Sequence, residues 1–195
     1  MHRIKLGYKS VEPQHYAQYR IVSTAEYHYG LKVDARRHGL QEAMDHAFDL
    51  AGRQPDVPLG LALVGAGGEY PALHGVPSAR LSLVFWETLY ERVRAVEFSH
   101  QPSRLDSFFV AATLADAALF RHRDKVGDVL CRVDISGCNV QAHLDHALLA
   151  ELDGGWNFTR ARDQVARYWG GDLSADPLME VLCQGEVVFG ERCVL

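Results

Sequence analysis

The chain has 195 residues, a net charge of −5 and a sequence pI near 6.0. With 48% hydrophobic residues it can bury a sizeable core within one domain, and its acidic balance excludes attraction of nucleic acid through bulk charge, a local basic patch aside. No apolar run approaches the roughly 20 residues a membrane helix needs, the opening MHRIKLGYKSVEPQ lacks the apolar stretch of a secretory signal, and Cys131, Cys138, Cys183 and Cys193 form no CxxC pair, so a cytoplasmic protein with reduced thiols and no membrane partner is expected.

The β-branched and aromatic run Gln18–Thr24 predicts a first strand. Leu40–Gly52 carries Leu40, Ala43, Met44, Ala47 and Leu50 at helical spacing, with Gly52 as a stop. Residues 54–78 are rich in Pro and Gly around the apolar run Leu59–Val64, which predicts loop, or an irregular insertion around one short strand, in an otherwise single domain, 1–195. Arg80–Phe98 is the clearest helix. Phe85, Trp86, Leu89, Tyr90, Val93 and Val96 make its apolar face, and Ser78 can cap it. A strand is predicted at Leu105–Ala111, then a helix at Leu114–Arg123 opened by a Thr113/Asp116 capping box. Alternation over Asp128–Ile135 predicts a half-buried strand. Helical stretches at Val140–Leu152 and Arg160–Trp169 follow. Met179–Gln184, a Gly185-Glu186 turn and Val187–Leu195 predict a terminal hairpin. Strands and helices intersperse without regular βαβ alternation, so the class is α+β with mainly antiparallel pairing.

Several motifs lead elsewhere. Gly65-Ala66-Gly67-Gly68 lacks the third glycine of a dinucleotide fingerprint, Tyr70 standing there, and Pro71 obstructs the helix that would hold a pyrophosphate. His143 and His146 fall near one face of a predicted helix, but zinc needs three or four ligands and the HExxH glutamate is missing, so no metal is expected. His28 reads as an ordinary, partly buried histidine. Ser23, Ser103 and Ser107 have no GxSxG elbow, and Cys131 and Cys183 lie on apolar strands where inert core thiols are usual.

Three polar groups sit on otherwise apolar strands: Arg20 in Tyr19-Arg20-Ile21-Val22-Ser23, Ser107 beside Phe108 and Phe109, and Glu180 in Met179-Glu180-Val181-Leu182. Around them run Tyr90–Phe98, Ser103-Arg104-Leu105, Tyr168-Trp169-Gly170-Gly171 and Glu180-Val181-Leu182-Cys183-Gln184-Gly185. This series resembles the ADP-ribosyltransferase superfamily, and within it an uncharacterised bacterial family. The resemblance is good over roughly residues 80–195 and weaker over the first strand. It implies a split β-sheet whose cleft binds NAD, the substrate, in a bent form. Breaking the nicotinamide–ribose bond builds positive charge on the ribose, as in glycoside cleavage. The resemblance makes Glu180 the catalytic carboxylate that opposes that charge. Arg20, with Arg104 second, would anchor the NAD diphosphate or adenosine ribose. Phe108 or Phe109 would stack on nicotinamide, and Ser107 would hydrogen-bond Glu180 or the ribose. Arginine-modifying members carry an acidic or amide residue two positions before the glutamate. Leu178 stands there, which puts an arginine acceptor in doubt. The implied activity is ADP-ribosyl transfer to an unidentified protein, nucleic acid or small molecule, in a toxin or effector setting. A non-catalytic nucleotide- or protein-binding module on the same fold is the alternative, and a Cys- or Ser-based enzyme a third.

Overall fold

The computed structural model describes residues 18–22, 40–62, 78–124, 129–150 and 152–193. In chain order these form β1 (Gln18–Val22), α1 (Leu40–Arg53), α2 (Ser78–Glu97), a 3-10 turn (Arg104–Asp106), β2 (Phe108–Ala111), α3 (Leu114–Asp124), β3 (Val129–Asp145), the single turn α4 (Ala147–Ala150), α5 (Phe158–Gly170) and β4 (Met179–Arg192). The class is α+β: an antiparallel sheet with flanking helices. The strand order is β1-β2-β4-β3, and β1 pairs back onto β3, so the described strands close into a ring. No helix among the described residues is long and apolar enough to cross a membrane.

The ladder between β3 and β4 runs from Cys131↔Arg192 to Asp145↔Met179. Two expectations are corrected here. Val140–Leu152 is not a helix, because β3 extends through Asp145 and only Ala147–Ala150 turns helically. In Val140-Gln141-Ala142-His143-Leu144 the alternation is that of a strand: Ala142 and Leu144 are buried, Gln141 and His143 exposed. The terminal hairpin is also absent. β4 continues unbroken through Gly185-Glu186, which pair with Cys138 and Gly137 of β3. Register shifts near Gly137 and Cys138 mark β-bulges, where the strands bend. Gly185 has φ 134°, and a Cβ there would lie 2.6 Å from the Gly137 carbonyl oxygen, so only glycine fits.

The sheet has an apolar surface on each side. Val181 and Cys183 of β4 pack with Val110, Val133, Ile135 and Cys138, while Leu182 joins the main helical core. By strand alternation Glu180 shares the side of Leu182, toward the helices. The helical core takes Met44, Ala47, Phe48 and Ala51 from α1, spaced as one helical face. α2 contributes Val84, Phe85, Leu89, Tyr90 and Val93, and α5 contributes Ala161, Val165, Tyr168 and Trp169. Val96, expected on the packed face of α2, is instead 83% exposed, because the helix end runs past the core. Ser78 is itself helical. The predicted strand Leu59–Val64 is helical at residues 59–62, while 63–64 lie outside the described residues. Leu59 and Ala62 enter the main core, and the Leu59 and Gly60 amides donate to the Trp156 and Gly154 carbonyls, so this part of 54–78 is packed into the core.

Local signals set the remaining ends. Thr113 and Asp116 form the capping contact of α3, with the Asp116 amide donating to Thr113 Oγ1 at 3.1 Å. Asn157 caps α5 by accepting from the Arg160 amide, and Gly171, at φ 80°, closes it. The strand predicted from Leu105 begins only at Phe108, since Arg104–Asp106 is taken by the 3-10 turn.

Candidate functional site

The helical side of the sheet carries a charge cluster inside its apolar core. Glu180, second residue of β4, pairs across the ladders with Ala111 of β2 and Leu144 of β3. Its carboxylate Oε1 accepts from Arg104 Nη1 at 2.6 Å and from the Tyr168 hydroxyl of α5 at 2.7 Å. Arg104 Nη1 also donates to the Tyr168 oxygen at 2.7 Å. The other edge of the guanidinium meets Glu87 of α2, Nε to Oε2 at 3.1 Å and Nη2 to Oε1 at 3.2 Å. All four residues are buried, with Glu180 3%, Arg104 4% and Glu87 5% exposed. The guanidinium lies 4.7 Å from the Phe109 ring centroid, 5.3 Å from Tyr90 and 5.5 Å from Tyr168, so aromatic faces replace the water it has lost.

An outer layer pins the turn that delivers Arg104. Ser103 Oγ donates to Glu91 Oε2 at 3.0 Å, and Arg94 holds Glu91 while donating to the Gln101 carbonyl. Trp169 Nε1 donates to the Tyr90 carbonyl at 3.0 Å, tying α5 to α2.

Burial alone would raise the Glu180 carboxyl. The Arg104 guanidinium, His146 and the hydrogen bonds from Tyr168 and Arg104 outweigh it and hold the group below the usual carboxylate range. Burial opposes the Arg104 charge too, but Glu180, Glu87 and Tyr168 hold its pKa well above the ordinary value. Burial pushes the Tyr168 phenol well up, and burial with Glu87 does the same for Tyr90. The cluster is therefore a fixed ionic arrangement in which Tyr168 stays a hydroxyl donor.

The expected site residues are distributed as follows. Glu180 and Arg104 are joined directly, but Arg104 spends its guanidinium on Glu87, Glu180 and Tyr168 rather than facing a diphosphate. Ser107 ends the 3-10 turn, and its hydroxyl donates to the Ser103 carbonyl at 2.6 Å rather than to Glu180. Phe109 lies under the Arg104 guanidinium and packs on the main core, while Phe108 packs on the opposite side of the sheet. Arg20 lies on β1 opposite Cys131. Its neighbour Tyr19 pairs with Ala111, which pairs with Glu180, so the β1 backbone runs two strands away, about 10 Å at ordinary strand spacing. Ser23, His28 and the glycine run 65–68 lie outside the described residues.

Glu87 and His146 are not among the expected site residues, and Tyr90 and Tyr168 enter that reading only as parts of motifs. His146 follows β3 and makes an edge contact with the Phe120 ring, 5.1 Å between centroids. With His143 on β3, exposed, the two histidines do not share a helix face. Among the described residues no group of three potential ligands could hold a metal. The cysteines are free, and burial raises the Cys131 and Cys138 thiols, as expected of inert core groups.

The fold and its buried cluster define an α+β protein with a closed antiparallel sheet and a Glu–Arg–Glu network between sheet and helices. The chain belongs to the DUF2441 family, described as protein of unknown function, whose sequence model matches residues 74–193. Those residues include all members of the network. Comparison with curated proteins gives no match.

Proposed function

We propose that the chain is an NAD-dependent ADP-ribosyltransferase with an ADP-ribosyltransferase-like fold, in which Glu180 is the carboxylate that opposes charge on the ribose. The observation that carries this reading is the asymmetry of Glu180. Among the described residues, the two side-chain hydrogen bonds to its carboxylate fall on Oε1 and none falls on Oε2. An anion with one oxygen held by protein and the other for a ribose hydroxyl suits this chemistry. The bond between ribose C1′ and the nicotinamide nitrogen breaks, and its electron pair leaves with neutral nicotinamide. The acceptor's nucleophilic atom, or water, bonds C1′ and gives up its proton. In this reading Arg20 and an aromatic ring serve NAD itself, whereas Arg104 acts through Glu180. An arginine acceptor is not part of the proposal, since Leu178, two positions before Glu180, is a buried leucine. Four free thiols fit a reducing, cytoplasmic setting.

A second reading, a non-catalytic nucleotide- or protein-binding module, draws on the 3% exposure of Glu180 and the full engagement of Arg104. Calorimetric titration with NAD, followed by nicotinamide release, separates the two. The transferase is expected to bind NAD and release nicotinamide, and Glu180→Gln to lower release at least about a hundredfold with affinity nearly intact. Wild-type protein that binds NAD but releases nothing supports the module. Equal release by wild type and Glu180→Gln removes Glu180 from the chemistry.

A further inference from the structure

Resting on the transferase reading, we infer that Tyr168 and the Glu87-braced Arg104 are positioning residues that fix the orientation of the Glu180 carboxylate, holding one oxygen so that the other faces the ribose. A glutamate side chain otherwise turns broadly about its terminal bond, so its carboxylate plane is not fixed. Here Oε1 takes two charge-assisted contacts, 2.6 Å from Arg104 and 2.7 Å from Tyr168. The third side of that triangle, Arg104 to the Tyr168 oxygen at 2.7 Å, fixes the two donors against each other. Glu87 then fixes Arg104 from its far edge through two further hydrogen bonds, so the fork cannot turn. Each anchor comes from a different element: α2 for Glu87, the 3-10 turn for Arg104, α5 for Tyr168 and β4 for Glu180. Tyr168 is 0% exposed and Glu87 lies beyond Arg104, so Tyr168 acts through Glu180, and Glu87 through Arg104 and then Glu180.

The test compares Tyr168→Phe and Glu87→Gln with wild type in NAD binding, nicotinamide release across pH, and thermal unfolding. Tyr168→Phe keeps the ring and removes the hydroxyl. Its kcat is expected to fall roughly tenfold or more, the scale of misplacing a reacting group, with NAD affinity within about threefold. The acid limb of its kcat profile is expected to move to higher pH, because the carboxylate has lost a donor to its charged form. A role in folding alone would lower the melting temperature and leave that limb in place. Glu87→Gln, read in the same way, serves if Tyr168→Phe does not fold. An active wild type with variants that turn over within twofold of it at every pH overturns the positioning role and leaves the transferase standing. Wild-type protein that neither binds NAD nor releases nicotinamide overturns the transferase, and this inference with it.

Discussion

Replacing Arg104 by Met removes the charge that the buried arrangement is built around. Methionine approximates the length of the arginine stem and can keep contact with Phe109, Tyr90 and Tyr168. What is lost is the cation that bridges two buried carboxylates, Glu87 at 5% and Glu180 at 3% exposure. Removing one partner of a buried pair costs about 3–5 kcal/mol, because the other charge is left uncompensated. Here two are left, so the upper end, about 5 kcal/mol, is expected. Glu180→Gln is the contrasting case. It leaves the two-point Arg104–Glu87 pair intact and the cluster neutral, and the amide oxygen can still accept from Tyr168, so a cost of about 1–2 kcal/mol is expected. The order Arg104→Met far above Glu180→Gln follows from charge balance, not from hydrogen-bond counts. The pH dependence has the opposite sign in wild type and variant. In wild type the folded-state pKa of Glu180 is depressed, so its stabilisation is complete above the unfolded value of about 4.3 and is lost as pH falls through the folded one. Without Arg104, burial raises the folded value, and protonation relieves the strain as pH falls. The gap between the two proteins should therefore narrow between pH 7 and pH 5. Urea unfolding at both pH values, with unchanged m, measures it. A deficit for Arg104→Met below about 1 kcal/mol, the net worth of an ordinary hydrogen bond, or one that stays constant with pH, would refute the reasoning.

Leu89, fully buried in α2, should lose roughly 2–5 kcal/mol on substitution by Ala in chemical denaturation, and a loss below about 0.5 kcal/mol would show the wrong packed face. Gly185→Ala should lower the melting temperature by several degrees, corresponding to at least about 1–3 kcal/mol, because its Cβ meets the Gly137 carbonyl at a positive φ; an unchanged melting temperature would mean the bulge relaxes freely. Asp145 accepts from the Ala147, Ser174 and Leu178 amides, so Asp145→Ala should cost about 3 kcal/mol or more as buried donors lose their partner. Burial alone would raise its carboxyl, but the Ser174, Leu178 and Ala147 hydrogen bonds hold it low, so its contribution too is lost only in acid; full stability of Asp145→Ala at pH 7 would refute the role.

How far the residues announce this arrangement varies by element. α1, α2 and α5 are legible because their buried positions recur every three to four residues, and α3 because Thr113 and Asp116 open it, whereas the Asn157 and Gly171 caps of α5 are absent from that reading. Glu180 was legible as a charge inside an apolar strand. Glu87 escaped, yet it sits three residues from both Val84 and Tyr90, so a carboxylate on the buried helical face was there to be read. Residues 140–145 read as helix because Ala, Leu and Gln favour it, although the strand's alternation is present and tertiary pairing with β4 decides the outcome. The Gly185-Glu186 pair mimics a hairpin turn. Its true partners, Gly137 and Cys138, are nearly fifty positions earlier, and no local pattern reveals a ladder of that reach.

The Asp145 contacts and the Glu180 network share one cause. Asp145 ends β3 and holds the Leu178 amide at 2.8 Å, one residue before β4 begins. The His146 amide donates to the Leu178 carbonyl at 2.9 Å, so Leu178 is gripped on both sides of its backbone. That grip sets Met179 opposite Asp145 and Glu180 opposite Leu144. A slip of one residue would turn every β4 side chain over and carry Glu180 to the other side of the sheet, against the apolar Val110 of β2 and Val133 of β3 and away from Arg104. The buried carboxylate of Asp145 thus fixes the register that lets the buried carboxylate of Glu180 meet Arg104. Damage at Asp145 should appear in the Glu180 network before the sheet itself unfolds.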